Sequence, residues 1–410
     1  MNPSARPKVA FVIHRYGADL GGGIEVHCKS VAERMVSHWD LEVLTTRAHD
    51  YLTWADSFPE GRDIVDGVPV RRFSVDSTRD PETFAHHTDR ILDPDRAPGL
   101  EEQRDWMKAQ GPFSSDLLSF LDANLQRFDL IVFFSYLYAT SYFGMEIARE
   151  RAALVPAVHD EPVLHLPLYA EEFQKSRYIL FSTIEEKRLV TERFGPPAQC
   201  AVCGGIGIDP PPIPPKQPVW PRPYLLYLGR VDHMKGCGEL LSFFQYPPPW
   251  LPPVDLLLVG RINMDVPENP RIHALGYVDE ERKKTLIRNA LALVVPSPFE
   301  SLSIVLLEAW SYAVPAIVNA ACPVLRGQGA RSQAALPYLD VESFAEVVRM
   351  LVRSPAQRVR LGLRGLKHVR SSYRWNRVED AYRLALRAIS RESTKPGKPG
   401  PAAGTEERPS

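Results

Sequence analysis

The stretch LALVVPSPFESLSIVLLEAW, residues 291–310, carries the pattern on which the fold is read. A short apolar run, LALVVPS (291–297), ends in turn residues and passes at once into a segment of helical length, PFESLSIVLLEAW (298–310). Short apolar runs bounded by turns and separated by helices build parallel sheets covered on both faces. The same unit recurs along the chain. KVAFVIH (8–14) precedes a helical spacing of Val26, Val31, Met35 and Val36, and LEVLTT (41–46), DLIVFFS (129–135), ALVPAVH (153–159) and YILFST (178–183) continue the series. In the second half YLLYLGR (224–230), DLLLVGR (255–261) and PAIVNA (315–320) stand around the opening stretch.

A chain of 410 residues exceeds what one core usually organises, so two domains are expected. DPPPIPPKQPVWPRP (209–223) holds eight prolines, which remove backbone donors and exclude a helix interior or a central strand. It reads as a stiff linker. The expected organisation is an α/β fold of two facing Rossmann-like, doubly wound domains: residues 1–208, the linker 209–223, and residues 224–372. A helix over 373–390 is placed to cross back to the first domain. Residues 391–410 lack apolar content and read as a disordered tail.

Charge is nearly balanced, with 49 Lys and Arg against 50 Asp and Glu, so no global attraction draws the chain to nucleic acid or anionic lipid. Five cysteines do not form a disulfide framework. Cys200 and Cys203 lie in a strand-to-loop context, without the second pair a zinc site needs, and read as packed thiols. No run approaches a membrane span, and the apolar run at 9–13 is too short for a signal peptide, so a cytoplasmic protein is expected.

Ligands of such sheets bind beyond the carboxyl ends of the strands. After the first strand come Gly21, Gly22 and Gly23, ahead of a helix. They let backbone approach a ligand and offer helix-start N–H groups to an anion, although a flexible loop gives the same pattern. Gly229-Arg230-Val-Asp-His-Met-Lys235-Gly236 sets two cations at a strand-to-helix turn, where they can clamp a diphosphate or stand as solvated surface charges. Gly260-Arg261 repeats the theme. Glu300 precedes a helix expected to start near Leu302, where a carboxylate can accept from sugar hydroxyls and the N–H groups of Leu302, Ser303 and Ile304 can meet phosphate oxygens. Glu308, about two turns inside that apolar helix, reads as a buried charge in need of a partner, either a vicinal diol or an arginine.

Taken in order, the glycine-rich turn, GRVDHMKG and E-x7-E resemble the retaining glycosyltransferases of the GT-B fold, family 4, from about Lys8 to Tyr382. GVPVRRF (67–73), QGPFSSDLL (110–118), FFSYLY (133–138) and HDEPVLHLPLY (159–169) support the likeness. The resemblance implies transfer of a sugar from a UDP- or GDP-linked donor to an acceptor hydroxyl in glycoconjugate or polysaccharide synthesis, with retained anomeric configuration. It implies that Arg230 and Lys235 neutralise the departing diphosphate, with Gly229 and Gly260 at the strand ends beside Arg261. Glu300 would bind the transferred sugar, with Ser301, Leu302, Ser303 and Ile304 beside it. Glu308 would bind the ribose, and the segment 273–278 with Tyr277 and Val278 would read the base. Gly22 and Gly23 would approach the phosphate or sugar, and His159 would face the donor sugar. Ser303 and Ala313 stand where the family usually has glycine. No cofactor and no metal are expected, since no DxD-like carboxylate pair stands in a suitable place and the nucleotide-sugar is a co-substrate.

The acceptor is a sugar, a lipid-linked molecule or a small molecule. Arg360, Arg364, Lys367, Arg370 and Arg374 form a basic stripe between Arg358 and Arg377. It reads as a solvated helix face or as a weak peripheral contact with the inner membrane face, and no nucleic-acid motif accompanies it. An epimerase of nucleotide sugars and a non-catalytic nucleotide-sugar-binding protein are the other functions this pattern allows.

Overall fold

The computed structural model describes residues 6–392. Its first sheet has eight strands: β1 (Lys8–Val12), β2 (Asp40–Thr46), β3 (Gly61–Val65), β4 (Val68–Phe73), β5 (Leu130–Phe134), β6 (Ala152–Val155), β7 (Tyr178–Phe181) and β8 (Cys200–Val202). The second has six: β9 (Tyr224–Leu228), β10 (Asp255–Val259), β11 (Ile272–Gly276), β12 (Ala292–Val295), β13 (Ala316–Asn319) and β14 (Ala335–Tyr338). The spatial orders are β3-β4-β2-β1-β5-β6-β7-β8 and β11-β10-β9-β12-β13-β14. The second is the doubly wound order, and both sheets reverse direction of winding beside their first strand, between β1 and β5 and between β9 and β12. A crevice opens at such a reversal, because the flanking connections leave toward opposite faces. The two switch points therefore set where the site lies.

The expectation of wholly parallel sheets needs one correction. β3 pairs antiparallel with β4 at the edge of the first sheet. The turn between them, Asp66-Gly67, has positive φ at both residues, 47° and 80°, which suits a tight hairpin of the primed type. The apolar rule passed over this hairpin because GRDIV exposes four of its five residues at least in part.

The strands that build the sheet centres are buried on both sides. All five residues of β5 and of β9 are buried, as a strand covered by helices on each face requires. Alternate residues go to opposite cores: Leu226 and Leu228 face one apolar cluster, Leu225 and Tyr227 the other. Ala10 and Val12 likewise part from Val9 and Phe11.

The proline-rich stretch 209–219 has no regular secondary structure, yet it is docked on the second sheet's domain. The Lys216 ammonium reaches the Ala290 carbonyl at 3.4 Å, and the Trp220 indole N–H donates to Asp255 at 2.8 Å. The chain returns after the second domain. The helix Trp375–Glu392 sets Val378, Ala381, Tyr382, Ala385 and Ile389 into the apolar core of the first sheet. That spacing is one face of a helix, and Glu379 on its flank receives Arg34 at 2.7 Å. Arg391 and Glu392, expected in a tail, end this helix; the remaining tail residues lie outside the described ones. The basic stretch 358–377 is broken: one helix runs Pro355–Ser372, so Arg374 falls between two helices.

Candidate active site

Around the second switch point, β9 leads to Gly229 and Arg230, and β12 leads to Glu300. Gly229 and Gly260 hold φ of 138° and 130°, and a Cβ on Gly260 would drive into the Gly229 backbone, so the two strand ends abut only as glycines. Beyond Arg230 a short turn, His233–Lys235, is capped by Asp232, whose carboxylate accepts from the Lys235 N–H at 2.9 Å. Gly236 then takes φ 73°, with its missing Cβ pressed on Pro296. This contact joins the β9 turn to the β12 turn. Across it the Lys235 ammonium donates to Glu300 at 2.9 Å. The first cation of the expected clamp, Arg230, pairs with Asp232 at 3.2 Å. Both cations are thus held ready by carboxylates of their own domain.

Glu300 lies four residues ahead of its helix, which spans Ile304–Ser311 and not from Leu302 as expected. Ser303 caps it with φ 66° and ψ 79°, the left-handed region where a Cβ is unfavourable. Ser303 is 5% exposed, and its hydroxyl has no hydrogen-bond partner. Ala313 also holds positive φ, 54°. Both residues the resemblance marks as departures from glycine therefore sit where the backbone favours glycine. Leu302 is buried, and its carbonyl accepts from the Gln328 amide. Glu308 corrects a further expectation. It lies just over one turn into the helix, is partly exposed, and pairs with Lys283 at 3.1 Å. Burial opposes the Lys283 charge, but Glu308 and Glu280 raise its pKa above the ordinary lysine value.

The segment 273–278, which the resemblance assigns to the base, runs from within β11 into the loop beyond it. Gly260 donates to the Gly276 carbonyl at 2.9 Å, Tyr277 stands 77% exposed beyond it, and Val278 packs on the second-domain core. Arg261 is exposed, and its carbonyl accepts from Val231.

The first domain meets this set with residues beyond its own switch point. Gly22 caps the helix Gly23–Met35, and its carbonyl accepts from Val26. A Cβ on Gly22 would collide with the Glu25 carboxylate, which is pinned beneath it. Glu25 accepts from His14 at 3.1 Å and also from Arg15. Burial opposes the Glu25 charge, yet His14 and Arg15 hold its carboxyl well below the ordinary range. Burial in turn lowers the His14 pKa. The His14 ring stacks on Tyr138 at 3.7 Å, across the β1–β5 switch point. Gly23 is exposed at the helix start.

Contacts between the domains pass through residues that the motifs did not single out. Tyr51, in the loop after β2, lies under Arg230, with the guanidinium 4.8 Å from its ring centre, and accepts from the Asn263 amide at 3.1 Å. Arg15 approaches the same ring at 5.6 Å. Gly22, Glu25, Arg15, Tyr51 and Arg230 thus form one chain of contacts between the glycine-rich turn and the cationic turn. His159 lies 5.9 Å from Phe299, ring to ring, and its Nδ1 is 3.2 Å from Glu161, without hydrogen-bond alignment. Thr183 donates to the Ser301 carbonyl at 3.0 Å. Applying the strand-end rule to every strand would have found Tyr51, Thr183 and Glu161; no short motif marks them.

Among the described residues, no group of three or more His, Cys, Asp or Glu side chains is arranged to hold a metal ion. No described helix is long and apolar enough to cross a membrane. Four of the five cysteines are buried, and all are free thiols.

Residues 215–368 match the family described as glycosyl transferases group 1. Glycogen synthases from two strains of Mycobacterium tuberculosis are each 25% identical over 222 residues, 50% of this chain and 53% of theirs. The chain thus spans about half the length of the curated relatives it matches. Among solved structures, alpha,alpha-trehalose 6-phosphate synthase from Burkholderia multivorans superposes with a TM-score of 0.68 at 13% identity, covering 95% of this chain and all of its own. Anabaena HepE, solved in complex with UDP and glucose, gives 0.61 at 13% identity over 95% and 98%. These likenesses carry the fold: two facing Rossmann-like sheets in the GT-B arrangement. The chain thus has the GT-B fold, and its residues 215–368 are similar to the glycosyl transferases group 1 family.

Proposed function

We propose that the protein is a retaining, metal-independent glycosyltransferase that moves a sugar from a UDP- or GDP-linked donor to an acceptor hydroxyl. The observation that carries this reading is the Lys235–Glu300 pair at 2.9 Å, which spans the switch point of the second sheet while Arg230 faces the first domain. A diphosphate entering there meets two cations whose present partners, Asp232 and Glu300, are carboxylates able to accept from other donors; Asp232 already accepts from the Lys235 N–H. Released from Lys235, Glu300 accepts from sugar hydroxyls.

In the reaction the bond from the anomeric carbon to the donor phosphate oxygen breaks, and a bond to the acceptor oxygen forms on the same face. The acceptor proton passes to the departing phosphate oxygen. Arg230, Lys235 and the N–H groups at the start of the helix Ile304–Ser311 stabilise the growing negative charge, already oriented before the reaction begins. Glu308 takes the ribose in exchange for Lys283, and the backbone around Tyr277 and Val278 takes the base. Ser301 and Ser303 border the phosphates, and His159 borders the sugar. The bound UDP in Anabaena HepE supports a uridine donor.

The acceptor is a sugar, a lipid-linked molecule or a small molecule. The exposed basic helix Pro355–Ser372, with Arg360, Arg364, Lys367 and Arg370, suits a weak peripheral contact with an anionic membrane carrying such an acceptor. Incubation with UDP- and GDP-sugars, with nucleotide release followed with and without acceptors, tests the whole reading. Acceptor-stimulated release supports it. Epimerised sugar without an acceptor, or tight binding without release, overturns it.

A further inference from the structure

Glu186 is 1% exposed, in the first turn of the helix Ile184–Phe194, and is not itself among the residues given a role above. Its two carboxyl oxygens serve different loops. One accepts from the Val158 N–H at 2.8 Å, the other from the Ser182 N–H at 2.6 Å, and the amides of Ala157 and Thr183 are also directed at it. The first loop follows β6, and Ala157 within it is held at φ 55°, an unfavourable conformation for a residue with a Cβ. The second loop is the turn between β7 and the helix.

Both loops reach the same short segment of the other domain. Just past Val158, His159 meets Phe299; just past Ser182, Thr183 donates to the Ser301 carbonyl. These two contacts flank Glu300. The neighbour of Glu186, Glu185, adds an ion pair to Arg331 of the second domain at 3.0 Å. One buried carboxyl therefore sets the spacing of the two grips on either side of the residue that holds Lys235.

We propose that Glu186 is a positioning residue for sugar transfer, bracing the loops 157–159 and 182–183 so that they hold segment 299–301, and hence Glu300, in register across the cleft. The proposal rests on the reading that Glu300 and His159 face the donor sugar. Glu186→Gln keeps the volume, but its amide nitrogen accepts nothing, so one of the two loops loses its bond. The nucleotide is held by the second domain, so UDP affinity stays within about threefold of wild type. The kcat falls about tenfold, within the reach of a sub-ångström misplacement.

Thr183→Val removes one grip directly and lowers kcat in the same direction. The double variant is less than additive, because both changes act on the Thr183–Ser301 contact and the Thr183 hydroxyl also caps the helix that carries Glu186. Hydrogen exchange read by mass spectrometry accelerates at 157–159, 182–183 and also 299–303 in Glu186→Gln. Faster exchange in the first two segments with an unchanged 299–303 and an unchanged kcat overturns the proposal, as does a kcat loss matched by an equal loss of UDP affinity. If wild type turns over no nucleotide sugar, the proposed function fails. The exchange at 299–303 then decides the bracing alone, acceleration supporting it and no change overturning it.

Discussion

Gly236 offers the sharpest test of how the site is assembled. It lies next to Lys235, holds φ 73° and faces the Pro296 backbone, four residues ahead of Glu300. A methyl group in Gly236→Ala would sit 2.7 Å from the Pro296 carbonyl carbon, where ordinary contact begins at 3.4 Å. The two turns must therefore part by at least about 0.7 Å, since the Pro296 carbonyl oxygen lies nearer still. Two costs add. A residue with a Cβ in left-handed backbone loses about 1–2 kcal/mol, and forcing apart well-packed segments costs about 1–3 kcal/mol. The expected loss is about 2–5 kcal/mol of stability.

Gly67→Ala supplies the control, since Gly67 has φ 80° with nothing within 4 Å of a new Cβ, and bears only the backbone cost. Urea unfolding of the two variants separates the terms. The displacement also draws Lys235 from Glu300, and acceptor-dependent nucleotide release falls about 100-fold, as misplacements approaching 1 Å do. A Gly236→Ala protein no less stable than Gly67→Ala, with unchanged nucleotide release, would refute the reasoning.

Lys235→Met removes a half-exposed pairing, so stability changes by less than about 1 kcal/mol while nucleotide release falls at least about 100-fold; a large stability loss with normal release would reverse that assignment. Tyr51→Phe keeps the ring under Arg230 and loses the hydroxyl, with its Asn263 bond and its contact with Arg230, whereas Tyr51→Ala loses the ring as well; kcat should fall more in the alanine variant, and equal kinetics for the two would show that the ring does not place Arg230. Ser303→Gly relieves left-handed backbone and an unpartnered buried hydroxyl, and equilibrium unfolding should show it about 1 kcal/mol more stable than wild type. Glu25 is held below its ordinary value of 4.5 in the fold, so its stabilising contribution is full above that value and is lost as pH falls from about 4.5 through the folded value. Melting temperature should therefore drop more steeply on acidification in wild type than in Glu25→Gln; parallel profiles would show that the His14–Arg15 contacts do not favour the charge.

Much of the fold was legible because period and punctuation are local. Nine apolar runs named strands that form, and the strand-end rule led to Arg230, Lys235 and Glu300 at one switch point. The β3–β4 hairpin escaped because an exposed edge strand need not be apolar. The sequence alone determined the α/β class, the alternation of buried strands with helices, and the residue types waiting beyond the strand ends. It left the partners of those residues open. Only the tertiary structure decided that Glu308 meets Lys283, that Arg230 rests on Tyr51, and that Glu186 reaches two loops. Apart from the local bond of Glu186 to Ser182, each of these pairings joins segments far apart in the chain, and their separation in sequence bears no fixed relation to the distance that folding leaves between them.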